Sequence, residues 1–92
     1  MPVPGENKKI ESVFLFSLST CGMCRRVKQL LSDLAVDFDF LDVDLLDEEN
    51  KDAAKRKMRN WDRRVAFPML IINNTTCIVG DEPELIREAL GK

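Results

Sequence analysis

Val13-Phe14-Leu15-Phe16-Ser17-Leu18-Ser19-Thr20-Cys21-Gly22-Met23-Cys24 is the stretch whose reading decides the fold. An apolar run over residues 11–18, rich in Phe with a Val, reads as a strand buried on both faces. It runs directly into two thiols three residues apart, and a helical pattern starts at Thr20 or Cys21. In the first turn of a helix, residues i and i+3 lie on neighbouring surface. Two sulfurs so placed can join as a disulfide or separate with little backbone movement. That is the layout of a reversible two-electron pair, with Cys21 the more exposed and Cys24 behind it. The unpaired N–H groups and the dipole of a helix start stabilise an anion. Cys21 is therefore placed to attack as a thiolate and form a mixed disulfide, which Cys24 then resolves. Gly22 is small and Met23 flexible, so neither blocks Cys21, and Arg25 and Arg26 add positive charge close by.

Further along, Val27, Leu30, Leu31 and Leu34 fall at i, i+3, i+4 and i+7, the stripe of a helix facing a core. Residues 36–43 alternate as Val36-Asp37-Phe38-Asp39-Phe40 and read as a second strand. Strand, helix and strand make a βαβ unit, whose crossover should be right-handed. Residues 47–61 place acids first (Asp47, Glu48, Glu49) and bases later (Lys55, Arg56, Lys57, Arg59), the order that complements a helix dipole. Only Ala54, Met58 and Trp61 form an apolar seam there, so this helix is expected to be mostly solvated. Residues 69–72 and 75–79 read as two strands joined by the turn Asn73-Asn74. Asp81 with Glu84 has the form of a capping box. Leu85, Ile86, Ala89 and Leu90 then give a last helix, stopped near Gly91. The order is β-α-β-α-β-β-α. Pro68 opens the third strand, where its missing N–H is tolerated; the residues alone leave cis and trans open.

The 92 residues suffice for one domain with a real core, and a leader is expected over 1–10 with the domain over 11–92. Hydrophobic residues at 45% and charged residues at 33% are ordinary for a soluble protein. A net charge of −2, with bases mixed among acids, gives no pull toward nucleic acid. The apolar stretches are strand-sized, so no membrane span is expected. No apolar signal-peptide core precedes the first strand, and a cytoplasmic location is the default. Three cysteines and no histidine leave a zinc site short of its four ligands, so no metal is expected. Cys77 in the fourth strand reads as a small, buried or half-buried apolar residue. Arg63-Arg64 is either a solvated loop or a contact for an anionic substrate. Asp37, Asp39, Asp42 and Asp44 read as an outward polar face rather than a metal cluster.

Three segments together carry a resemblance. Ser19-Thr20-Cys21-Gly22-Met23-Cys24, Ala66-Phe67-Pro68 and Val79-Gly80-Asp81 are similar to the active-site, proline and glycine-turn segments of the glutaredoxins, in that family's order. The resemblance spans about residues 11–90. It implies an α/β, thioredoxin-like fold: a four-stranded mixed sheet of order 2-1-3-4 flanked by three helices, with a cis Pro68 close to Cys21. It implies a thiol–disulfide oxidoreductase in which Cys21 is the nucleophile and Cys24 the resolving thiol. Thr20, Gly22, Met23, Arg25, Arg64, Phe67, Pro68, Gly80 and Asp81 would contact the substrate, a protein disulfide or a mixed disulfide with glutathione. A glutathione carboxylate would draw on Arg25, Arg26, Arg63 or Arg64. The electron donor would be glutathione or, as in related redoxins, thioredoxin reductase. No tightly bound cofactor is implied, glutathione being a co-substrate, and a monomer is expected. The chain departs from the family at Leu18, where members that use glutathione often carry Lys, and at Gly22-Met23, often Pro-Tyr. A single Gly80 also stands where Gly-Gly is common. Two alternatives remain: an iron–sulfur carrier holding a cluster through Cys21 and glutathione in a dimer, and a redox-inactive binding module.

Overall fold

Alternation along the central strands builds the layers of this fold. The structure, a computed structural model, describes residues 10–92. The elements are β1 (Val13–Ser17), α1 (Gly22–Asp33), β2 (Asp39–Asp42), a 3-10 turn (Val43–Leu45), α2 (Glu48–Arg59), β3 (Met69–Ile72), β4 (Thr76–Val79) and α3 (Pro83–Leu90). They form one mixed sheet of order β2-β1-β3-β4 with three helices, the thioredoxin-like architecture. β1 runs parallel to β2 and antiparallel to β3, and β3 and β4 form an antiparallel hairpin. Successive strand residues point to opposite faces. Val13, Leu15, Leu70, Ile72 and Ile78 therefore meet Val27 and Leu31 of α1 and Ile86 and Leu90 of α3 on one face. On the other face Phe16, Met69 and Ile71 meet Val43 and the α2 residues Ala54 and Met58.

Local chemistry fixes the ends of the elements. Asn73 and Asn74 take φ 53° and 58°, the paired left-handed conformation that a two-residue hairpin turn needs and that Asn tolerates. The Oδ1 of Asn73 also accepts from the Glu11 and Ser12 N–H groups at 2.7 and 3.1 Å, tying the hairpin to the entry of β1. α2 starts where expected, with the Asp47 side chain accepting from the Asn50 N–H.

Three expectations need correction. The second strand is shorter than 36–43, because α1 closes on Ala35 at φ 57° with Ala35 N–H to Ser32 and Val36 N–H to Leu31. That hairpin-like exit occupies the residues just after the helix, so the ladder with β1 starts at Asp39. Asp81 and Glu84 make no capping box: Pro83, with its fixed φ and missing N–H, opens α3, and Glu82 stands at the cap without a side-chain bond. Leu85 is exposed, leaving Ile86 and Leu90 as the buried anchors of α3. Of the leader expected over 1–10, only Ile10 lies within the described residues, where it packs against the α1–α3 face.

Candidate active site

Cys21 is the N-cap of α1, in extended conformation and partly exposed. Its Sγ accepts the Cys24 N–H at 3.2 Å, so a backbone donor from the first helical turn is aimed at the sulfur. Cys24, one turn on, is fully buried beneath it, and both thiols are free. Burial pushes the Cys24 thiol from the usual 9.0 up to about 12, aided by the hydrogen bond and charge of Cys21. The Leu18 backbone and the Lys28 ammonium oppose that rise. At neutral pH Cys24 is held as a thiol under the more accessible Cys21.

The strand register brings three segments to one end of the sheet. Phe16 pairs with Met69, and Met69 pairs with Val79. The end of β1 leading to Cys21, the Phe67-Pro68 start of β3 and the Gly80-Asp81 exit of β4 therefore share one edge. The Phe67-Pro68 peptide bond is cis and Pro68 is buried. The Gly80 N–H donates to the Pro68 carbonyl at 2.9 Å, and Gly80 takes φ 96°, where a side chain would be strained. Arg26 Nε lies 2.6 Å from Asp81 Oδ2 and joins α1 to this turn. Its guanidinium passes within 3.9 Å of where a Cβ on Gly22 would stand.

These features coincide with a known family. The family described as Glutaredoxin matches residues 13–77. The chain is similar to the methanoredoxin of Methanosarcina acetivorans, at 43% identity and a TM-score of 0.85 over 88% of this chain and 85% of that one. It is also similar to the glutaredoxin of Methanosarcina mazei Go1, at 42% identity and a TM-score of 0.82, covering 88% and 79%. The chain belongs to the glutaredoxin family. A buckwheat glutaredoxin solved as a complex with glutathione is 26% identical, with a TM-score of 0.67 over 87% of this chain and 70% of that one. No curated protein matches the sequence. Family membership, with a Cys pair so placed, makes this glutaredoxin a thiol redox protein.

The other expected site residues divide. Gly22 and Met23 are exposed on the first turn of α1, Met23 at 43%, and Thr20 is exposed in the turn before it. Arg25 is exposed, its backbone N–H donates to the Cys21 carbonyl, and among the described residues its side chain makes no hydrogen bond or ion pair. Arg64 is engaged with its own loop: its Nε, Nη2 and backbone N–H all meet Asp62. Arg64 in turn holds the Asp62 carboxyl down at about 2. Nothing in the described residues joins Arg64 to the Cys pair. Cys77 is half-buried on the α2 face, its thiol pushed up by burial and then by Asp62.

Sequence reasoning missed two contacts behind the site. Asp37, Asp39 and Asp44 are exposed as expected and Asp42 is half-buried, and the last two also bond to the segment that leads to Cys21. Asp44 accepts both the Ser19 N–H and the Ser19 hydroxyl, which hold its carboxyl below the usual range. Asp42 accepts from the buried Ser17 hydroxyl and from Lys28. Each joins residues about 25 apart in the chain. Only the parallel register of β1 and β2 reveals them, since it sets Ser17 opposite Asp42.

Proposed function

We propose that this glutaredoxin is a dithiol oxidoreductase that reduces protein disulfides and mixed disulfides with glutathione. The observation that carries the reading is the asymmetry of the pair: Cys21 partly exposed with an N–H aimed at its sulfur, Cys24 fully buried and protonated behind it. The Cys21 thiolate attacks a substrate disulfide R–S–S–R′. A Cys21–S–S–R bond forms, the S–S bond of the substrate breaks, and R′–S⁻ leaves and takes a proton from water. Cys24 then loses its proton and attacks Cys21 Sγ, forming the Cys21–Cys24 disulfide and releasing R–S⁻. Two electrons have passed from the dithiol to the substrate, and a reductant must return them.

Phe67 supports an extended substrate at this site. Among the described residues its backbone N–H and C=O make no hydrogen bond, so both remain open to a strand-like partner. The glutathione-bound buckwheat relative supports glutathione as co-substrate and donor, with thioredoxin reductase the competing donor. The pair must return to the dithiol after each cycle, which suits a reducing cytoplasm. The competing reading, an iron–sulfur cluster held by Cys21 and glutathione in a dimer, asks one thiolate of each chain. Cys24, buried one turn behind Cys21, favours disulfide chemistry over that reading. We assign no resident cofactor.

The test is reduction of a disulfide substrate driven in parallel by glutathione with its reductase and by thioredoxin reductase. Turnover in either assigns the donor. A Cys21→Ser variant that keeps full activity with both would overturn the reading.

A further inference from the structure

Ser17 is the one buried polar residue among the described residues, and it stands four positions before Cys21. Its hydroxyl donates to Asp42 Oδ1, and Lys28 Nζ lies 3.1 Å from the same oxygen. Lys28 follows Cys24 by four residues in α1, so the two side chains rise from neighbouring helix surface. The ammonium also lies 4.1 Å from the centroid of the Phe40 ring. With the Lys28 and Asp42 side chains only 24% and 16% exposed, the cation is held rather than left to snorkel into water.

The resolving step needs such a group. Cys24 has to lose a proton inside a fully buried site, and burial opposes the charge that results. The chain has no histidine, so any nearby positive charge must come from Lys or Arg. The charges that act on the Cys24 thiol are those of Cys21, which disfavours the thiolate, and Lys28, which favours it. We propose that Lys28, held by Asp42 and Phe40, acts on the resolving step through Cys24, stabilising its thiolate as it attacks the mixed disulfide. The inference rests on the dithiol mechanism proposed above. Ser17 and Asp42 serve it by fixing where the ammonium stands.

Dithiobis(nitrobenzoate), limiting against reduced protein in a Cys77→Ala background, separates the two steps. Attack by Cys21 releases one coloured thiolate, and resolution by Cys24 releases the second in a phase independent of protein concentration. For each unit by which loss of the cation raises Cys24, the thiolate fraction falls about tenfold and the higher nucleophilicity restores about threefold. Lys28→Met, which keeps the apolar stem, is expected to slow the second phase, by about threefold for each unit that Cys24 rises, and to move its pH profile upward. The first phase should stay unchanged. Lys28→Arg restores the charge and should restore the second phase and its profile. A second phase unaltered in Lys28→Met, or slowed only as much as the first, overturns the inference while leaving the dithiol mechanism intact. Release of a single thiolate by the Cys77→Ala parent overturns the dithiol mechanism itself.

Discussion

Replacing Cys24 by Ala should make the stability of this protein less sensitive to alkaline pH, by an amount that the site fixes. The thiol sits at 9.0 when free of its surroundings and is pushed up to about 12 where it is buried. Between those values the unfolded chain has lost the proton and the native chain still holds it. The native state then binds more protons than the unfolded state, so stability falls as pH rises. The contribution is complete below about pH 9 and is lost as pH climbs through about 12. While it is being lost, the slope is about 1.4 kcal/mol per pH unit, whatever the full size of the shift. The three units between the two values put the ceiling at about 4 kcal/mol.

Urea unfolding under a phosphine reductant measures this, with wild type and Cys24→Ala compared from about pH 8 to about pH 11. Subtracting one curve from the other removes the lysines and Cys77, which titrate in both proteins. The wild-type advantage should be level up to about pH 9 and then fall by about 1.4 kcal/mol per unit. A difference that stays flat across the window would mean that the Cys24 thiolate is as well solvated in the fold as outside it. The separation of an exposed nucleophile from a protonated partner would then have no physical basis.

Cys24→Ser, offered a protein disulfide without reductant, should accumulate a covalent adduct on Cys21 that mass spectrometry detects, whereas wild type clears it and Cys21→Ser forms none. Ala35→Gly relieves a left-handed residue at the end of α1. The relief of about 1–2 kcal/mol is partly offset by the greater freedom of Gly in the unfolded chain, about 0.4–1 kcal/mol. A net gain of about 0.5–1 kcal/mol should appear as a melting temperature raised by several degrees. Met58→Ala empties a fully buried position between α2 and the sheet. It should cost about 2–5 kcal/mol, read as a lower urea midpoint at unchanged slope.

What the sequence made legible was whatever short-range chemistry decides. The Val13–Ser17 strand and the Val27 and Leu31 stripe follow from periodicity, and the Asn73-Asn74 turn from two residues that tolerate positive φ. Asp81 shows where local reading divides. A carboxylate three residues before Glu84 satisfies the pattern of a cap, yet Pro83 sets the first helical position and leaves Asp81 to meet Arg26 from α1. The cis bond at Pro68 is hidden for another reason. A trans bond is the ordinary state of such a peptide, and only the likeness of three segments to one family pointed otherwise. Arg64 was read as a candidate substrate contact, but Asp62, two residues away, offers it a bidentate partner. That preference was local and readable.

The polar contacts around the two thiols were not readable, because they depend on a parallel pairing across the crossover. A Cys-Gly-Met-Cys helix start by itself gives an exposed sulfur with a second behind it, and says nothing of their polar neighbours. β2 lies beside β1, so Asp42 reaches Ser17 and Lys28, while Asp44, two residues on, holds both polar hydrogens of Ser19. The βαβ unit therefore braces the loop that presents Cys21 and holds the ammonium of Lys28, one helical turn after Cys24, with one short acidic segment. Asp44 meets Ser19 ahead of the nucleophile, and Asp42 meets Ser17 and Lys28, the latter one helical turn after the resolving thiol. The motif supplies the sulfur chemistry, the burial of Cys24 behind Cys21 gives it direction, and the strand beside it braces both.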